Sequence, residues 1–158
     1  MKLNLIGMLA AAVLALAGCA SGVPDSGAGT GTNFKQDSSE FFNASVGDRV
    51  LFTVDQSTLT VEAQSILNAQ AAWMMQNGEF SAIIEGHADE QGTREYNLAL
   101  GARRAAAVQS YLVSKGVADS RLRTVTYGKE RPLEICSNEA CWSKNRRGVT
   151  VVSAGGSV

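Results

Sequence analysis

Glu85-Gly86-His87-Ala88-Asp89-Glu90-Gln91-Gly92-Thr93-Arg94-Glu95-Tyr96-Asn97-Leu98-Ala99-Leu100-Gly101-Ala102-Arg103-Arg104-Ala105 decides the fold of this chain. It joins the end of an apolar strand, Phe80 to Glu85, to a turn crowded with charge, and a long helix starts at once. An acid, Asp89, sits in the turn. A base, Arg104, lies well inside the helix on the face shared with Asn97 and Leu100. A small zwitterion with one ammonium and one carboxylate would fit between such groups, which points to binding rather than catalysis.

Working outward, Thr93 caps that helix, which is expected from Arg94 to Lys115 with Gly116 as its stop; Leu100, Val108 and Leu112 face the core. Upstream, Val50, Phe52 and Val54 alternate with Leu51, Thr53 and Asp55, as a strand does. Ser57 or Thr60 caps a helix running to about Asn77, with Ala63, Ile66, Leu67, Gln70 and Met74 on one face and Gly78 as its stop. Trp73, Met74 and Met75 read as core and helix surface, not as a cofactor box. Downstream, Leu122 to Tyr127 is a third strand, Gly128 to Pro132 turns, Asn138 to Asn145 makes a short helical turn, and Gly148 to Val152 is the last strand. The order βαβαβ(α)β predicts an α/β sandwich, one mixed four-stranded sheet with helices packed on one face.

The whole chain has 158 residues, 45% hydrophobic and 18% charged, with a net charge of −1. No basic excess points to nucleic acid, and aromatics are too sparse for a stacking platform. Lys2 and the apolar run from Leu3 to Ala17 have the size of a signal-peptide core, too short for a comfortable membrane span. The run closes on Leu16-Ala17-Gly18-Cys19, which resembles a bacterial lipobox; the resemblance implies cleavage before Cys19 and lipidation there. A generic secretory signal with a chance cysteine is the alternative. Several acyl chains on one residue would anchor stably where one alone would not. Residues 20–32, rich in Gly, Ser, Ala and Thr, read as a flexible linker. Counted to Ser45, the tether has an r.m.s. reach of roughly 30 Å. Phe34, Phe41 and Phe42 interrupt it, so its last part would dock on the domain. The expected division is 1–18 signal peptide, 19–47 lipidated Cys and linker, 48–153 folded domain, and 154–158 tail.

Of three cysteines, Cys136 and Cys141 remain if Cys19 carries lipid. Export to an oxidising compartment favours a disulfide over two free thiols. A metal centre is not expected, because the single histidine, His87, is distant from both. No cofactor is expected either. A hydrolase reading of His87, Asp89 and Glu90 fails on too few spaced ligands and no nucleophile motif. His87 reads as structural or at most as a partner-surface residue, Glu90 as exposed and suited to a protein contact, and Arg103 as a surface residue. Arg146 and Arg147 would cap the final strand or pair with acids, a ligand role being the other option. Arg104 itself, without further context, would serve equally as a core-edge arginine paired with Asp89.

Four ordered motifs cover about residues 48 to 153: Gly86 to Gly92, Tyr96 to Val108, Tyr127 to Pro132 and Lys144 to Arg147. Together they resemble the OmpA-like peptidoglycan-binding domain family. The resemblance implies non-covalent binding of meso-diaminopimelate in the stem peptide of peptidoglycan. It implies that Asp89 accepts hydrogen bonds from the ligand ammonium and that Arg104 holds a ligand carboxylate. Asn97 and Leu100 match the intervening motif positions, and Asp55 matches the family's other acidic position. Backbone N–H groups near Thr93 and Arg94 would add anion contacts. Three features depart from the pattern: Phe52-Thr53-Val54-Asp55 lacks the second aromatic, Gly101 replaces the usual serine, and the Cys136 to Cys141 segment is additional. The stator proteins of flagella share the domain but need a transmembrane helix, whereas here the apolar run ends in a lipobox. The layout of lipobox, linker and single domain resembles the lipoproteins of that family. It implies an outer-membrane, periplasm-facing anchor linked to the cell wall, with TolB and possibly TolA as partners in envelope constriction at cell division.

Overall fold

The computed structural model describes residues 34–155. The expected signal peptide, Cys19 and the linker up to residue 33 lie outside the described residues, as do residues 156–158. The described chain runs α1 (Ser39–Phe41), a π turn (Phe42–Gly47), β1 (Arg49–Leu51), α2 (Val61–Gln76), β2 (Phe80–His87), α3 (Arg94–Ser114), a 3-10 turn (Asp119–Arg121), β3 (Leu122–Gly128), α4 (Glu139–Asn145) and β4 (Arg147–Ala154).

The four strands form one sheet in the order β1-β4-β2-β3. β4 is antiparallel to both β1 and β2, and β2 is parallel to β3. The sheet is therefore mixed, as the sequence predicts. The parallel pair requires a crossover, and α3 supplies it. Val50, Ala82, Ile84, Thr150 and Val152 are buried, while Leu51, Ile83 and Val151 on the alternate positions are exposed. The helices thus cover one face of the sheet.

Both long helices begin where capping chemistry dictates. The Thr60 hydroxyl accepts from Ala63 N at 3.2 Å, and the Thr93 hydroxyl accepts from Tyr96 N at 3.2 Å. α3 stops at Ser114, capped by Lys115 and followed by Gly116, whose φ of +103° a side chain would resist. The face expected on α2 is the buried one, with Ala63, Leu67, Gln70 and Met74 inside. Gln70 is a fully buried amide with both ends satisfied: it donates to Gly47 O at 2.7 Å and accepts from the Thr150 hydroxyl at 2.8 Å. Of the Trp73–Met75 group, Trp73 and Met74 are core and Met75 is half exposed.

The folded unit reaches back beyond the expected start at residue 48. Phe42 is fully buried and packs on Trp73 with ring centroids 4.9 Å apart. The Trp73 indole in turn donates to Gln36 O at 2.7 Å. Burying an aromatic of that size contributes to offsetting the entropy lost in ordering the short turns around it. At the other end β4 runs to Ala154, past the expected end of the domain at residue 153. β1 is shorter than expected and stops at Leu51, because the chain turns over Thr53–Gln56, closed by Gln56 N donating to Thr53 O at 3.3 Å.

Candidate functional site

Asp89 follows β2 by two residues, just after a register shift between Gly86 and His87 in the pairing with β3. One carboxylate oxygen accepts from Gln91 N at 3.1 Å, which closes a tight turn. Asn97 in the first turns of α3 clasps the same loop by donating to Gln91 O at 2.7 Å. Lys129 donates to Gly92 O at 2.7 Å from the far side. The turn that carries the acid is thus tied down by α3 and by the segment after β3.

A cleft of about 310 Å³ opens beside this turn. Asp89, Gln91, Gly92 and Asn97 form one side; Val54 and Asp55 from the Thr53–Gln56 turn form the other, with Tyr96 and Leu100 of α3 between them. The structure therefore brings four of the five expected residues, Asp55, Asp89, Asn97 and Leu100, to one cavity. Val54 and Tyr96 supply apolar surface there, so the missing aromatic at position 54 leaves a wall of a different make. Asp55 adopts a left-handed φ of +56°, which aspartate tolerates better than most residues. The Tyr96 hydroxyl donates to its carboxylate across the cleft.

Arg104 stands differently from the expectation. Its side chain is fully buried and does not line the cleft. Nε donates to Gln56 O at 2.8 Å, Nη1 to His87 O at 2.8 Å and Nη2 to Thr53 O at 3.1 Å. The guanidinium lies beneath the Thr53–Gln56 turn and pins it, and with it Val54 and Asp55, to the end of β2. Burial pulls its pKa down to about 10, with nearby Asp89 opposing that shift and Arg146 adding to it, so it remains cationic at neutral pH.

The charge that pairs with Asp89 comes instead from Arg146. Nη1 donates to the second Asp89 oxygen at 3.1 Å, and Nε to Phe52 O at 3.3 Å. The same guanidinium bonds the Glu139 carboxylate of α4. Those bonds, Glu139 first, raise the Arg146 pKa further and hold Glu139 below the usual carboxylate range. Cys136 and Cys141 are disulfide-bonded, with Cα atoms 5.7 Å apart, and bracket the start of α4. From α4, Trp142 Nε1 donates to Glu90 at 3.1 Å. Arg147 is buried and bonds Arg131 O at 3.2 Å, away from the cleft. Arg146 pairs with acids, as the sequence suggests, but which acids it meets is not legible there, and nothing local distinguishes it from Arg147; the parts played by Tyr96 and Glu139 carry no signal in the sequence.

His87 is buried between Tyr127, with ring centroids 5.5 Å apart, and Glu85, 3.3 Å from Nε2. Burial, helped by the Arg147 and Arg131 charges, lowers its pKa to about 4. It is a neutral framework residue, as expected. No group of acids, His and Cys among the described residues could hold a metal ion. No helix among them is long and apolar enough to cross a membrane.

A sequence model of the OmpA family matches residues 51–146. The peptidoglycan-associated lipoprotein of Mesorhizobium japonicum is 52% identical over 151 residues, covering 92% of this chain and 90% of that protein. The protein of the same name from Haemophilus influenzae is 42% identical over 148 residues, covering 90% and 93%. The crystal structure of the peptidoglycan-associated lipoprotein from Burkholderia pseudomallei superposes with a TM-score of 0.69 at 34% identity, covering 73% of this chain and all of that one. The C-terminal domain of Helicobacter pylori MotB shares the fold alone, with a TM-score of 0.63 at 19% identity over 68% of this chain and 84% of that one. The lipoprotein relatives bear the name of a peptidoglycan-associated lipoprotein and not of an enzyme. The chain belongs to the OmpA family, and its nearly full-length relatives place it with that family's peptidoglycan-associated lipoproteins.

Proposed function

We propose that this protein binds peptidoglycan non-covalently, by gripping the diaminopimelate of the stem peptide in the cleft between the Asp89 turn and the Thr53–Gln56 turn. The observation that carries this reading is the pair of carboxylates, Asp55 and Asp89, that line one cleft from opposite sides. Two acids there would hold the ligand ammonium by charge-assisted hydrogen bonds. Leu100, Val54 and Tyr96 would cover its aliphatic stem. The N-terminal turn of α3 presents its free N–H groups and the positive end of its dipole for a ligand carboxylate. Arg104 has two N–H groups beyond the three it gives to carbonyls, and these are what it would add.

With Cys19 lipidated in the inner leaflet of the outer membrane, the same grip would tie that membrane to the wall from the periplasmic side. In this reading the protein works in the Tol–Pal system during envelope constriction at division, with TolB competing for an overlapping surface and TolA as a further partner.

Sedimentation with purified murein tests the reading. Wild-type protein should co-sediment, soluble diaminopimelate stem peptide should release it, and Asp89→Asn should remain in the supernatant. Retention of Asp89→Asn at wild-type level would sink the site. Release of soluble murein fragments would replace binding by catalysis.

A further inference from the structure

Five charged side chains surround the Asp89 end of the cleft. Asp55 and Asp89 line it, Arg104 lies beneath, and Arg146 with Glu139 stands behind Asp89. Three carboxylates against two guanidiniums leave one negative charge in excess. If Glu139 is removed from that count, the remaining groups balance, and Arg146 has no partner but Asp89 to neutralise.

Arg146 is nearly inaccessible, whereas Glu139 is on the protein's outside, with 62% of its side chain exposed. Glu139 therefore acts on the cleft only through Arg146. Its position is not left to chance. It opens α4, whose N-cap Asn138 accepts from Ala140 N at 3.0 Å, and the Cys136–Cys141 bond closes the chain on either side of it. Trp142 and Ser137 hold α4 and its approach against Glu90 in the Asp89 turn.

We propose that Glu139 is a positioning residue for the ligand's ammonium group. By engaging the outer edge of the Arg146 guanidinium, it keeps Asp89 from being fully neutralised by Arg146. Asp89 then offers a net negative charge, in a fixed orientation, to a cation in the cleft. The stapled α4 in this sense backs the site from behind Asp89 without lining the cleft. The inference rests on the peptidoglycan reading above.

The test compares two soluble stem peptides, one with the free side-chain amine of diaminopimelate and one N-acetylated at that amine, by calorimetric titration. Glu139→Gln should bind the free-amine peptide roughly fivefold more weakly than wild type, the scale of one partly screened ion pair. It should bind the acetylated peptide as wild type does, and Glu139→Asp should recover most of the loss. Thermal melting of each variant checks the fold. Wild-type affinity of Glu139→Gln for the free-amine peptide would overturn the proposal, and so would an equal loss on both peptides, the mark of a merely structural role. If wild-type protein binds neither peptide, the peptidoglycan reading itself falls and takes the inference with it.

Discussion

Gly86 in β2 and Gly101 in α3 meet backbone to backbone. A Cβ on Gly86 would lie 1.8 Å from Gly101 O, and one on Gly101 would lie 2.4 Å from the Thr126 hydroxyl and 2.7 Å from Gly86 O. This contact sets how deeply α3 lies on the sheet, and so where Asn97 and Leu100 stand relative to Asp89.

Gly86→Ala should therefore destabilise the domain by about 3 kcal/mol, because the obstacle is main chain and cannot rotate away. Gly101→Ala recovers about 1 kcal/mol of helix propensity yet meets the same wall, so a net loss of about 1–2 kcal/mol is expected. Urea unfolding of both variants, followed by circular dichroism, measures the two costs; a stabilised Gly101→Ala would show that the helix shifts freely.

Arg104→Ala should lower both stability and ligand binding. It strips three carbonyls of a charged donor inside the protein and frees the turn that carries Val54 and Asp55. A cost of about 3 kcal/mol is expected. Arg104→Lys should fall between, since one ammonium cannot span three acceptors held in a fork. The check is murein sedimentation well below the melting temperature of each variant, alongside the melt itself.

His87 makes stability depend on pH in a predictable sense. Its folded pKa, about 4, lies below the ordinary 6.5 of an unfolded histidine. Between those values the unfolded chain binds a proton that the folded one refuses. The contribution is thus complete above about pH 6.5 and is lost as pH falls toward 4, amounting to about 3 kcal/mol at most. Urea midpoints from pH 4 to 7.5 should fall more steeply for wild type than for His87→Asn. Parallel slopes would show that carboxylates alone carry the acid sensitivity.

Opening the Cys136–Cys141 bond should cost about 2 kcal/mol, the loop-closure entropy of so short a ring. The sheet and α2–α3 do not depend on it, so a Cys136→Ser/Cys141→Ser protein should remain folded. Hydrogen exchange should show the difference concentrated in α4, with core amides slowed or quickened only through global unfolding.

The element order, the caps at Thr60 and Thr93, the buried faces of α2 and α3 and the mixed sheet were all legible in the chain, because each follows from local periodicity and side-chain chemistry. So was the gathering of Asp89, Asn97 and Leu100, since a strand end, a turn and one helix face place them together without help from elsewhere. The docking of Phe42 on Trp73 was legible only as an interruption in a polar stretch, because its partner lies on another element.

What only the tertiary structure decided is which cation meets which acid. Arg104 shares a helix with the site and reads as its natural base, yet the Thr53–Gln56 turn arrives from the far edge of the sheet and offers it two carbonyls, Thr53 O and Gln56 O, while the end of β2 offers a third, His87 O. Asp89 is left to Arg146, 57 residues away. Burial explains the exchange: a guanidinium enclosed by main chain must satisfy its donors there, and the acid of the cleft then takes Arg146, which the junction of α4 and β4 brings alongside. Sequence periodicity describes faces within one element; the pairing of charges depends on which elements the sheet sets side by side.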